Sequence, residues 1–273
     1  MTSITVLMSV YEKDKDGPFI EAINSLILNK DFIDKTIIVI NGSISKKKLN
    51  KIEKSLNLIS INKIQLPINI GLSRALNIGL KKVETEWVAR FDSDDISLPN
   101  RFKRMKEHIK KYGHEFDVIG TYIEEFNSKD SFKRIKKVPL IQKDITRNLL
   151  YTNPINHVSV FFKKSLISSI PTNDFYPLRD GFEDYALWFK LIYFKKRFLN
   201  IPEISVLVRA DNEMLKRRGG LGYILGEIKF RISIFKYIPK KMYFMNVIVC
   251  FLRVLVFSSP RFIKSNLYRI KRS

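Results

Sequence analysis

Cysteine is almost missing from this 273-residue chain. Cys250 stands alone in an apolar run, so no internal disulfide forms and a sulfur-stapled scaffold is excluded; the usage fits a reducing compartment. Histidine occurs three times, without zinc-finger spacing, and no aromatic RNA-recognition motif is present. Acids are scarce too: Asp and Glu total 27 against 49 Lys and Arg, and none follows Glu227. No basic stretch precedes Ile4–Met8, so no signal peptide is expected. Glycine is sparse where a phosphate loop would need it, since Ser9–Gly17 holds only one. What remains is a chain with 45% hydrophobic and 12% aromatic residues, sufficient for one large core, or a core with an appendage. Its formal charge of +22 draws polyanions: nucleic acid, anionic lipid or phosphorylated substrates. With no sequence-reading motif, a specific nucleic-acid partner is not expected.

The apolar pattern alternates between two periods. Ile4–Val10 reads as a first strand. Pro18 suits the first residue of a helix, and Phe19, Ile20, Ile23, Leu26 and Ile27 follow at helical spacing. Thr36–Ile40 is β-branched and continuous, as a strand covered on both faces would be. Lys46–Leu58 predicts an amphipathic helix, Lys63–Leu66 a short strand, Leu72–Leu80 a helix and Trp87–Phe91 a buried strand. This alternation argues for an α/β fold, a mostly parallel sheet with helices on both faces. Ligands of such sheets sit beyond the carboxyl ends of strands, so the loops at Glu12, Asn41 and Asp92 should converge on one crevice. Pro99–Tyr112 predicts a basic helix stopped by Gly113. The rhythm then changes. Tyr122–Phe126 and Phe132–Val138 read as extended and antiparallel, Ile145–Tyr151 as helix, Val158–Phe162 as strand and Glu183–Lys196 as helix.

The chain is organised around Trp87-Val88-Ala89-Arg90-Phe91-Asp92-Ser93-Asp94-Asp95-Ile96, where an apolar run ends in three carboxylates within four positions. Clustered acids repel and call for an opposite charge, and a hard divalent cation suits oxygen ligands. Mg²⁺ needs only one or two carboxylates when a substrate diphosphate supplies the rest. A solvated acidic turn before Pro99 is the plainer reading of an isolated Asp-x-Asp. Glu183 and Asp184 open a helix, where the dipole favours negative charge whether or not they do chemistry. Met242–Phe257 is apolar apart from Asn246 and Arg253 and is short of the roughly 20 residues that span a bilayer. Cations flank it on both sides. A helix lying in the interface of an anionic membrane fits this pattern, and packing on protein is the competing reading.

Several of these pieces resemble family 2 glycosyltransferases. Val6-Leu7-Met8-Ser9-Val10-Tyr11 is similar to their opening strand. Asn69-Ile70-Gly71-Leu72-Ser73-Arg74-Ala75-Leu76-Asn77-Ile78-Gly79 resembles their Asn-x-Gly-x-x-x-Ala-x-Asn-x-Gly signature, Asp92-Ser93-Asp94-Asp95 their metal motif, and Glu183-Asp184 their catalytic Glu-Asp pair. Asn153–His157, and Arg209 through Lys216-Arg217-Arg218-Gly219-Gly220, are similar to a branch containing bacterial exopolysaccharide, amylovoran-type and O-antigen enzymes. The match spans roughly residues 3–226; each motif alone is weak, and five in order are specific.

The resemblance implies a GT-A fold, a Rossmann-like sheet with a nucleotide-sugar-binding half (1–120) and an acceptor half (121–226), followed by a basic amphipathic tail (227–273). It implies inverting transfer from a nucleotide-sugar donor with Mn²⁺ or Mg²⁺. The acceptor, a lipid-linked saccharide, would be met at the cytoplasmic face of the bacterial inner membrane, where the enzyme sits peripherally on an anionic surface. Asp94, assisted by Asp95, would bind the metal, and His157 would contact metal or acceptor unless it is structural, as a lone His usually is. Val10, Glu12, Asn41, Asn69, Arg74 and Asp92 would line the nucleotide, with an exposed loop acid and a helix-surface cation as the plainer readings of Glu12 and Arg74. Asn41 stands where the family usually carries an acid, which leaves the nucleobase open. Asp184 would be the base and Glu183 would orient the acceptor. Arg217 and Arg218 would close over the diphosphate, unless they are simply basic surface. Two other classes compete: a nucleotidyltransferase, opposed by the missing glycine-rich loop, and a non-enzymatic polyanion-binding protein.

Overall fold

The computed structural model describes residues 2–127, 132–171, 174–178, 181–210 and 220–259. Its strands are β1 (Ile4–Val10), β2 (Lys35–Asn41), β3 (Ile61–Leu66), β4 (Trp87–Arg90), β5 (Ile96–Ser97), β6 (Val118–Phe126), β7 (Lys133–Lys136), β8 (Phe161–Lys163) and β9 (Phe198–Arg209). They form one sheet in the order β3-β2-β1-β4-β8-β6-β9-β5, with β7 paired to β6. The first four strands are parallel; β8 is antiparallel to both β4 and β6.

Every residue of β1 is buried, because the sheet is covered on both faces. Side chains alternate sides with period two. Val6, Met8 and Ile38 face α1 (Asp16–Ile27) and α4 (Arg101–Tyr112), where Phe19, Ile23, Phe102 and Met105 complete one core. Leu7, Ile37 and Val39 face α3 (Leu72–Leu80) in a second core. That core extends through α5 (Gln142–Asn148) and α7 (Glu183–Tyr193) to α8 (Leu221–Ser233). The remaining helices are α2 (Lys46–Ser55), the short α6 (Ser165–Ser168) and α9 (Tyr243–Ser258), which packs on α8.

Four local expectations are corrected. Helix α1 begins at Asp16, two residues before Pro18. Of the strand expected over Val158–Phe162, residues His157–Ser159 form a 3-10 turn and pairing starts at Phe161. The boundary expected at 226/227 falls inside α8, and Phe230, Ile234 and Ile238 belong to the same core as Trp188. The run Lys240–Ser258, with 19 residues and a mean hydropathy of 1.6, is long and apolar enough to cross a membrane by length and composition. The long strand β9 was not foreseen. Pro202 breaks its alternation, and the ladder to β6 shifts register at Tyr122.

Candidate active site

The carboxyl ends of β1, β2 and β4 lie side by side, with Val10 opposite Ile40 and Leu7 opposite Arg90. Arg90, 1% exposed, closes β4. A buried guanidinium must be paired, and this one donates to the Phe91 carbonyl and to the Asp92 carboxylate. Its own carbonyl accepts from Arg101 Nη2 at 3.0 Å. Arg101 is enclosed by the rings of Phe91, Phe102 and Phe161, with centroids 5.3, 5.2 and 5.1 Å away, and burial pushes its guanidinium down to about 9.

The Asp92–Asp95 turn is tied from two sides. Ser93 Oγ donates to Asp14 Oδ2 at 2.7 Å, and the Tyr11 amide donates to the same oxygen at 3.0 Å. From the end of β9, the Arg209 amide donates to Asp95 Oδ1 at 2.9 Å and its Nε to the Asp94 carbonyl at 3.1 Å. Asp95 is buried. Desolvation, then the charges of Asp94 and Asp92, raise its carboxyl well above the usual range. Asp94 is half-buried and the Asp92 side chain is 39% exposed, so both keep access to solvent. Among the described residues, no three His, Cys, Asp or Glu side chains assemble as a metal-ligand group. The Asp94, Asp95 and His157 set therefore does not form a ready triad. Hard carboxylate oxygens at the rim still fit a divalent cation that takes its other ligands from water and a diphosphate.

The 69–79 signature has a physical reading at each position. Asn41 is buried; its Nδ2 donates to Asn69 Oδ1 at 3.0 Å, and its Oδ1 accepts from the Ile70 amide at 2.9 Å. Asn41 thus staples the turn before α3, while Asn69, exposed, also accepts from the Gly71 amide at 2.9 Å. Gly71 has φ +86°, a conformation that favours glycine. Asn77 bonds Tyr176 twice, Nδ2 to its carbonyl at 2.9 Å and Oδ1 from its amide at 2.8 Å. At Gly79 a Cβ would sit 2.5 Å from Leu7 Cδ1 and 2.9 Å from Val39 Cγ2, so a side chain there would force the core beneath the helix to shift.

Tyr176 leads to the other side of the crevice. Its hydroxyl is 2.9 Å from His157 Nε2, and the imidazole packs edge-on to Tyr176 and Trp188. Desolvation, then Arg90, holds His157 well below its ordinary value, so the ring is neutral. Desolvation also raises the Tyr176 hydroxyl; Arg90 opposes this, while Asp184, Glu183 and Asp92 add to it. Glu183 is buried at the start of α7, and desolvation followed by the charge of Asp184 raises its carboxyl to about 7. Asp184 accepts from Asn153 Nδ2 at 2.7 Å and from the Tyr185 amide at 2.7 Å.

Residues 5–169 match Glycosyl transferase family 2. The chain belongs to that family. This glycosyltransferase is 31% identical over 225 residues to the amylovoran biosynthesis glycosyltransferase AmsE of Erwinia amylovora, covering 82% of this chain and 83% of that protein. It is 32% identical over 268 residues to the UDP-Gal:alpha-D-GlcNAc-diphosphoundecaprenol beta-1,3-galactosyltransferase of Escherichia coli, covering 97% and 94%. Its fold is that of S. aureus TarS 1-349 in complex with UDP-GlcNAc, with a TM-score of 0.67 at 17% identity over 91% of this chain and 70% of that one. The architecture is the GT-A sheet that the motifs led one to expect.

Val10 is buried at the end of β1, Glu12 is exposed beside it, and Arg74 is exposed on α3. Arg217 and Arg218 lie outside the described residues. Sequence reasoning gave no role to Arg90, Asp14, Asn153 or Tyr176. Arg90 carried a signal: a cation within a buried strand must have an acid nearby. The other three became visible only through contacts across distant segments.

Proposed function

We propose that this glycosyltransferase transfers a sugar, with inversion, from a nucleoside diphosphate donor to a lipid-linked saccharide during bacterial surface polysaccharide assembly. The observations that carry the reading are the family match over residues 5–169 and the hydrogen bonds of Tyr176, which join Asn77 of the 69–79 signature to His157. In this reading the donor end and the base end share one crevice. One named relative belongs to amylovoran biosynthesis and the other is named for a diphosphoundecaprenol-linked sugar, which supports the acceptor class.

In the displacement, the acceptor hydroxyl oxygen attacks the anomeric carbon. The bond from that carbon to the diphosphate oxygen breaks, and its electron pair leaves with the nucleoside diphosphate. The hydroxyl proton passes to Asp184, whose two oxygens are aimed by Asn153 and the Tyr185 amide. Glu183 orients the acceptor. Asp92 meets the nucleoside side, while Asn41 shapes that pocket through the 69–71 turn. A cation held by Asp94, with Asp95 supporting from below, would neutralise charge on the departing diphosphate; Mn²⁺ and Mg²⁺ both suit its oxygens. Neutral His157, bonded to Tyr176, serves as a wall of the acceptor side. Arg217 and Arg218 are proposed to pair with phosphate oxygens.

The tail meets the membrane from the cytoplasmic side. Phe244, Val247, Phe251, Leu252 and Leu255 are exposed on α9, while Asn246 and Arg253 on its other side bond to the protein. One apolar face and one anchored polar face suit a helix lying in the interface. The reading is tested with a panel of nucleoside diphosphate sugars and Mn²⁺. Release of free nucleoside diphosphate, increased by an N-acetylglucosaminyl-diphosphate lipid, is the expected result. Pyrophosphate release would replace it with nucleotidyl transfer, and turnover at full rate after chelation would remove the metal.

A further inference from the structure

The turn after α5 is held by three elements at once. Its consecutive carbonyls each accept from a different one: Leu149 from the Tyr185 hydroxyl at 2.5 Å, Leu150 from Arg231 Nη1 at 2.8 Å, and Tyr151 from Arg253 Nη2 at 3.0 Å. Carbonyls at a helix C-terminus lack intrahelical partners and favour cations. Here the cations come from α8 and α9. Both converge on Glu227, which is fully buried: Arg231 Nε lies 2.7 Å from one carboxylate oxygen and Arg253 Nη1 3.3 Å from the other. Asn246 closes the cluster, donating to the Arg231 carbonyl at 3.1 Å and accepting from Arg231 Nη1 at 3.3 Å. The Tyr185 ring lies 5.9 Å from each guanidinium.

Burying such a cluster has a desolvation cost that apolar packing between the same helices would not incur. Phe230 and Ile234 already provide that packing. What the cluster adds is direction. Two residues beyond Tyr151, Asn153 Nδ2 donates to Asp184 Oδ2, and Tyr185, pinned through Leu149, is the next residue after Asp184.

We propose that Arg253, held by Glu227, is a positioning residue for the Asp184 carboxylate. By clamping the Tyr151 carbonyl it fixes the 149–153 turn, and with it the Asn153 amide that aims the carboxylate. The inference rests on the proposed role of Asp184 as base. It makes the helix whose outer face meets the membrane part of the support of the reacting centre.

The test compares the full-length parent with R253M, R253K, N153A and the R253M/N153A double variant. Transfer is measured to an N-acetylglucosaminyl-diphosphate alkyl acceptor from the donor that the sugar panel selects. R253M should lower kcat about tenfold with donor KM within about twofold, and R253K should restore most of the rate. The double variant should be no slower than its slower single parent, because both changes act through one contact. Amide hydrogen exchange over residues 150–156 should quicken in R253M while β1 is unchanged. If R253M fails to fold, E227Q carries the same expectations. Losses that multiply in the double variant, or unaltered exchange over 150–156, overturn the proposal. The exchange measurement needs no substrate, so a parent that transfers no sugar counts against the sugar-transfer reading alone.

Discussion

The backbone amide of Arg209 donates to the Asp95 carboxylate at 2.9 Å, joining the end of the last strand to the acidic turn 114 positions earlier. The same residue reaches the Asp94 carbonyl with Nε and Glu21 with Nη2 at 2.6 Å. R209M keeps the amide bond and loses both side-chain contacts. Stability should fall by about 1 kcal/mol, the net worth of such bonds at a part-exposed site. Turnover should fall further, roughly ten- to a hundredfold, because Asp94 loses its fixed position. Urea unfolding and steady-state kinetics on the same sample separate the two effects.

Asp184→Asn removes the proton acceptor while keeping size and the capacity to meet Asn153. Transfer should drop by about 10²–10⁴, the usual range for a positioned base. Donor KM should hold. Retention of the parent rate would move the base elsewhere.

Glu183 makes stability depend on pH. Its folded value of about 7 lies above the ordinary 4.5, so folding favours the neutral acid. Its contribution to stability is complete below the ordinary value and is lost as pH rises through about 7. E183Q is neutral throughout. Its melting temperature should gain on the parent's as pH rises from about 4.5 to about 7 and keep a steady offset above that. Parallel profiles would mean that Glu183 is already ionised in the folded protein.

Gly42 has φ +88°, and a Cβ there would lie 2.9 Å from the Asn69 amide nitrogen. Backbone atoms cannot step aside as a flexible side chain can. G42A should cost about 1–3 kcal/mol and should also raise donor KM, since the displaced atoms belong to the 69–71 turn. A calorimetric scan and a donor titration read the two together.

Phe251 and Leu252 are exposed on α9. Replacing both with Ser should reduce binding to vesicles containing phosphatidylglycerol by at least roughly tenfold, each side chain being worth about 1.5–3 kcal/mol on full burial. Flotation measures it, and undiminished binding would return the tail to the protein-packing reading.

Local patterning carried much of this protein. The apolar runs Ile4–Val10 and Thr36–Ile40, and the helical spacing of Leu72, Leu76 and Leu80, sort themselves onto two sheet faces because period two and period 3.6 are properties of the backbone. The acids of 92–95 and the Glu183-Asp184 pair were visible because clustered charge is rare in sequence and needs a counterpart. Tertiary structure alone decided what each partner is. Asn41 was expected at the nucleobase, and its bonds to Asn69 and Ile70 in the 69–71 turn appear only in the fold. His157 was readable as a ligand or as a structural residue, and its ring bonds to Tyr176. Arg253 looked like an interruption in an apolar run and reaches the carbonyl two residues before Asn153. Hydrogen bonds of that kind join residues tens to over a hundred positions apart, and spacing along a chain contains no record of which distant atom will fill a lone pair.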